Sequence, residues 1–148
     1  MRKSTGQDIV IASDHAALDL KRHLIEFLRQ QGRTVIDLGP RKRASVNYVA
    51  FGRKVAEAVA GGEAPLGILL CGTGIGMSIV ANRYRGVRAA LVHDTFTARM
   101  AKSHNNANIL VIGGRVTGPA VAEDMVNTWL NTKFEGGRHQ ERLDTIDC

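Results

Sequence analysis

The chain has 148 residues, 44% of them hydrophobic and 23% charged, with two cysteines and a net charge of +6. That suffices for one soluble globular domain over 1–148; no apolar run approaches the roughly 20 residues of a membrane span, and no apolar signal core follows the charged start. Two cysteines are too few for a disulfide scaffold, so a reducing, cytoplasmic setting is expected; the basic residues are scattered and only 5% of residues are aromatic, which points to an anionic small molecule rather than nucleic acid.

Residues 1–8 are expected to be a flexible start. Ile9-Val10-Ile11-Ala12 is a continuous apolar run, as for a strand covered on both faces. Residues 17–31 carry Leu20, Leu24 and Leu28 four apart, an amphipathic helix closed by Gly32. A second strand is expected over 34–38. A polar loop over 39–47 then leads to a helix over 48–60, stopped by Gly61-Gly62. A third strand over 66–70 enters a glycine-rich turn and a short helix over 78–84. A fourth strand over 87–92, a helix over 95–103 and a fifth strand over 107–112 follow. Thr117-Gly118-Pro119 opens the next helix, with Thr117 as a cap and Pro119 in its first turn, and it runs to about 132. The tail, 134–148, is charged and expected to be partly irregular.

Strands alternating with helices predict a doubly wound α/β domain, a five-stranded parallel sheet with helices on both faces. The expected strand order is 2-1-3-4-5. Ligands in such sheets bind beyond the carboxyl ends of the strands, where the order reverses. Here that is between strands 1 and 3, which end in Ser13-Asp14-His15 and Cys71-Gly72-Thr73-Gly74. His93-Asp94 after strand 4 and Gly113-Gly114-Arg115 after strand 5 are expected nearby.

Cys71-Gly72-Thr73-Gly74-Ile75-Gly76-Met77-Ser78 is the most telling stretch. Three glycines let a strand-to-helix turn expose successive N–H groups, which stabilise negative charge. A thiol at the lip of such a turn suggests covalent chemistry or proton transfer. The plain alternative is a buried cysteine beside an ordinary α/β turn. Named motifs fail: the dinucleotide fingerprint needs glycine where Met77 stands, the phosphate loop needs a lysine, and a cysteine phosphatase needs arginine at Met77. Asp14 reads either as a helix cap or as a carboxylate that holds a substrate hydroxyl. His104 suits proton exchange near neutrality. Asn106 and Asn108 read as turn residues. Arg138 and Arg142, four apart, align on one helical face and fit one phosphate; a solvated tail is the alternative. Asp14, His15, His93, Asp94 and His104 match no standard zinc spacing, so no metal is expected.

Taken in order, Ser-Asp-His-Ala, Cys-Gly-Thr-Gly-Ile-Gly-Met-Ser-Ile-Val-Ala-Asn, Arg-Xaa-Ala-Xaa-Xaa-Xaa-His-Asp, His-Asn-Asn-Ala-Asn and Glu-Gly-Gly-Arg-His-Gln-Xaa-Arg form a set. The set resembles the type B ribose-5-phosphate isomerases, a family that includes galactose-6-phosphate isomerase subunits, over about 9–146. The resemblance implies a metal-free, cofactor-free aldose–ketose isomerisation through an enediolate. It implies Cys71 as the base between C2 and C1, His104 as the residue that opens the furanose ring, and Asp14 as its helper. The turn Gly72, Thr73, Gly74, Ile75 and Gly76 would hold the enediolate, and Asn105 a sugar hydroxyl. His15, Arg115, Arg138 and Arg142 would hold the phosphate. The resemblance further implies a small sugar phosphate as substrate and a homodimer or tetramer, with the tail arginines reaching the partner's site. One stretch departs: the family has Asp-Tyr-Pro where this chain has Asn47-Tyr48-Val49. Tetrose, allose or galactose phosphates therefore stand beside ribose 5-phosphate as expected substrates, and a non-catalytic sugar-phosphate binder stands as the other class.

Overall fold

The computed structural model describes residues 8–147. The expected flexible start lies, apart from Asp8, outside the described residues. The chain order is β1 Ile9–Ser13, α1 Leu18–Gln30, β2 Val35–Asp37, α2 Tyr48–Ala60, β3 Leu66–Cys71 and α3 Ile75–Ala81. It continues with β4 Ala89–Leu91, α4 Thr95–Ser103, β5 Ile109–Gly113, α5 Pro119–Asn131 and α6 Arg138–Asp144. No helix among the described residues is long and apolar enough to cross a membrane.

All five strands are parallel in one sheet, which bears out the doubly wound class. Alternate residues feed the two faces. Ile9, Ile11, Ile68, Leu70, Leu110 and Ile112 pack against α1, α4 and α5, with Trp129 wholly buried at the centre. Val10, Ala12, Leu69, Cys71, Ile109 and Val111 pack against α2 and α3.

The strand order is 2-1-3-5-4, not the expected 2-1-3-4-5. β5 pairs with β3 over five registered residues and every one of its residues is buried. β4 has three half-buried residues and sits at the edge. The longer, fully apolar run takes the central place because only it can cover both of its faces.

Smaller differences follow from local chemistry. α3 spans Ile75–Ala81, three residues earlier than expected, and a β-carbon on Gly76 would stand 2.6 Å from the Tyr48 ring. α5 is capped by Gly118, with Pro119 in the first turn as expected; Thr117 is buried and does not cap. The tail forms α6, entered through Gly136 and Gly137 at positive φ.

One buried ion pair fixes the loop after β2. Lys21 of α1 has no exposure and its Nζ donates to Asp37 Oδ1 at 2.7 Å and to the Pro40 carbonyl. Asp37 also accepts the Gly39 N–H at 2.8 Å. A lysine taken wholly out of water must be paired in this way.

Candidate active site

The strand order changes beyond β3, but β2 still flanks β1, so the order still reverses between β1 and β3. A crevice of about 560 Å³ opens there, lined among others by Asp14, His15, Tyr48, Cys71, Thr73 and Arg115.

Cys71 ends β3 and is 6% exposed, with its Sγ accepting the Gly74 N–H at 3.2 Å. That bond holds the sulfur against the turn that follows it. Gly74 has φ 81, and a β-carbon on it would stand 2.5 Å from Leu91 Cδ1, so only glycine fits. Thr73 Oγ1 accepts the Ile75 N–H at 3.3 Å. The first bond inside α3 runs from Ser78 N–H to Gly74 O at 3.0 Å, so the N–H groups of Gly76 and Met77 come before it. Two donors of the expected anion cradle, those of Gly74 and Ile75, are thus engaged within the turn itself.

Asp14 combines both of its readings. Its Oδ1 accepts the Ala17 N–H at 3.1 Å in the turn into α1, and the residue lines the crevice at 9% exposure. Next to it, His15 Nδ1 accepts the Val46 N–H at 3.2 Å. The accepting nitrogen carries no proton, so the neutral ring keeps its proton on Nε2 as a donor. The loop anchored by Lys21 supplies Val46, which ties that buried pair to the site. Arg115 arrives from the turn after β5, its N–H donating to Gly72 O at 3.0 Å and its side chain lying along Gly72.

Other expected residues lie elsewhere. His93-Asp94 follows the edge strand, with β5 between it and β3, so it does not join this crevice. Asp94 instead caps α4 by accepting the Thr97 N–H at 2.7 Å, and this bond, with that of the Thr97 hydroxyl, holds its carboxyl below the usual range. His104 ends α4, which runs back from the carboxyl ends of the strands to their amino ends. Cys71 is level with Gly113 at the far end of β5, while His104 precedes Ile109 at its beginning. The four strand steps between them already span roughly 13 Å. Asn105 is beside His104 on the exposed surface. Arg138 and Arg142 lie exposed on α6, four apart as expected, at this same amino-end region. Asn106 adopts φ 44, and Asn108 bonds to Arg88 N and Gly86 O, so both are turn residues as expected.

The sequence reading gave Glu135 and His139 no role. Glu135 Oε2 lies 3.2 Å from His104 Nε2 and 3.7 Å from His139 Nε2. The two imidazoles stack with centroids 4.1 Å apart and planes 13° apart. Burial, then the positive surroundings of His104 and Arg138, hold His139 below the usual histidine range against the pull of Glu135. Their spacing of four was the available signal, hidden in a segment without apolar periodicity.

This is the architecture of a doubly wound α/β protein with a thiol and carboxylate at its switch point. A sequence model of the Ribose/Galactose Isomerase family matches residues 9–146, and the chain belongs to that family and is an isomerase. It is 44% identical over 140 residues to galactose-6-phosphate isomerase subunit LacB of Clostridium acetobutylicum, covering 94% of this chain and 81% of that one. It is 42% identical over 140 residues to D-erythrulose-4-phosphate isomerase of Pectobacterium atrosepticum, covering 93% and 91%. The solved structure of a ribose 5-phosphate isomerase from Thermotoga maritima superimposes with a TM-score of 0.93 at 51% identity, over 95% of this chain and 97% of that one.

Proposed function

We propose that this isomerase interconverts ribose 5-phosphate and ribulose 5-phosphate through an enediolate, in a site shared by two copies of the chain. The observation that carries it is the split constellation. Cys71, Asp14, His15 and Arg115 meet at the carboxyl ends of the strands, while His104, Asn105, Arg138 and Arg142 gather at the amino ends. A two-fold dimer places one patch of each copy against the other patch of its partner, which completes two equal sites. Ile75 and Ile79, each more than half exposed beside the crevice, suit a covered interface.

The chemistry follows the groups. With the ring closed, His104 takes the proton of the anomeric hydroxyl and Asp14 assists as the ring oxygen gains one, so the C1–O4 bond breaks. The Cys71 thiolate then removes the C2 proton. The C2–H electrons form the C1–C2 double bond, and negative charge moves onto O1. The N–H groups at the start of α3 and the Thr73 side of the turn stabilise that charge, which is larger in the transition state than in the sugar. Cys71 returns its proton to C1 while the O2 proton passes to O1, so C2–O2 becomes the carbonyl of the ketose, O1 regains its hydroxyl and Cys71 is again a thiolate. Asn105 holds a sugar hydroxyl; His15, Arg115, Arg138 and Arg142 hold the phosphate. No cofactor enters these steps, and a catalytic thiol stays reduced in a cytoplasmic setting.

A second reading concerns the substrate. Asn47 occupies the position of the family's aspartate and caps α2 by accepting the Val49 N–H at 3.0 Å, a bond that a proline at position 49 could not make. Tyr48, between them, lines the crevice. The relatives named for galactose 6-phosphate and erythrulose 4-phosphate make other chain lengths the alternative. A panel of four- to six-carbon aldose phosphates, assayed for ketose formation, decides. The highest kcat/KM is expected with ribose 5-phosphate; a higher value with a tetrose or hexose phosphate replaces the substrate, and no turnover of any rejects the enzyme.

A further inference from the structure

We propose that Glu135 and His139 are positioning residues for His104, holding its Nε2–H on the Glu135 carboxylate so that Nδ1 is the nitrogen that exchanges a proton with the sugar. This deepens the assignment of ring opening to His104 and rests on it.

The geometry is specific. An ionised carboxylate only accepts hydrogen bonds, so Glu135 Oε2, 3.2 Å from His104 Nε2, favours a proton on that nitrogen over one on Nδ1. Its remaining lone pair is then on Nδ1. The partner of a histidine's first nitrogen sets the role of its second. Glu135 is itself tied to the end of α4, since its N–H donates to Ser103 O at 3.0 Å, one residue before His104. On the other side the His139 ring lies flat against His104 and is 7% exposed, so it blocks rotation of that ring. His139 is held toward its neutral form by burial and by the cations around it, so it does not repel His104 when that ring takes up a proton.

A metal site is the competing use of the same three side chains, whose donor atoms lie within 4.8 Å of one another. The stacking argues against it. Between parallel rings 4.1 Å apart, a shared ion would stand about 2 Å out of each ring plane, whereas imidazole binds metal through its in-plane lone pair. Parallel rings suit orientation and do not suit chelation.

The test separates ring opening from the later proton transfer. Ribulose 5-phosphate has its O5 phosphorylated and cannot close a five-membered ring on C2. Exchange of its C1 hydrogen with D2O therefore reports the Cys71 step without ring chemistry. Glu135→Ala is expected to lower kcat for ribose 5-phosphate by ~10-fold or more while exchange into ribulose 5-phosphate stays within about 2-fold. Glu135→Gln, whose amide oxygen still accepts from Nε2–H, is expected to recover most of the rate. In ¹⁵N spectra His104, assigned by the loss of its signals in His104→Ala, should show the Nε2–H form in the wild type and a mixture of tautomers in Glu135→Ala. Equal losses in both assays, or an unchanged tautomer in Glu135→Ala, overturn the proposal. If His104→Ala itself opens ribose 5-phosphate at the wild-type rate, the functional assignment of His104 fails instead, and the tautomer spectra alone decide whether Glu135 orients the ring.

Discussion

Cys71 shows how much one residue's chemistry depends on its neighbours. A buried cysteine at a strand end is ordinary. Here a backbone donor points at its sulfur, a carboxylate stands across the crevice, and the following turn tolerates only glycine at position 74. Cys71→Ala keeps a small apolar side chain in the core and removes the proposed base. Isomerisation should fall by at least ~10²–10⁴, while calorimetric titration with ribose 5-phosphate should still show binding close to wild type. Turnover near the wild-type value would remove Cys71 from the mechanism.

At the scale of elements, sequence and structure diverge in an instructive way. Each apolar run predicted as a strand is one, because a run covered on both faces leaves its mark in composition. Pairing leaves no such mark. Ala89–Leu91 and Ile109–Gly113 both read as strands, and which of them reaches β3 depends on the relative gain from burying each. The length and apolar content of the second run favoured the inner place, a signal that a default strand order overrides. α6 was illegible for a different reason: it has seven residues, a glycine entry and no side-chain cap, and its one buried residue is a histidine. For the site, Asp14, His15, Cys71, Thr73 and Arg115 were legible from strand ends, whereas Tyr48, which lines the crevice from the start of α2, was not. Nor was the distance of His104 from Cys71, since it follows from the direction in which α4 runs.

Two predictions belong to elements. The Lys21–Asp37 pair joins α1 to the loop that orients His15. Lys21→Ala leaves Asp37 without its cation and should cost ~3–5 kcal/mol in urea unfolding; a cost below about 1 kcal/mol would show that the pair is dispensable. On α6, Arg138→Ala or Arg142→Ala should raise KM strongly, since each charge-assisted bond to a phosphate contributes ~1.5–3 kcal/mol. The loss in kcat should be smaller than for Cys71→Ala. An unchanged KM would make the pair a solvated surface.

For the whole molecule, the proposed function asks groups at opposite ends of one sheet to serve one reaction. The span along the strands is too long for side-chain motion to close, which is why the proposed site draws on a second copy of the chain. Mixed dimers test this most directly. One subunit carries Cys71→Ala, the other His104→Ala, and each is inactive in its own homodimer. Differently tagged, they are co-expressed and the mixed dimer is purified through both tags. If the site is shared, one of its two sites holds both defects and the other is intact, so the mixed dimer should show about half the wild-type activity per dimer. Activity no higher than that of the two parent homodimers, in a dimer shown to contain both subunits, would contradict the shared site.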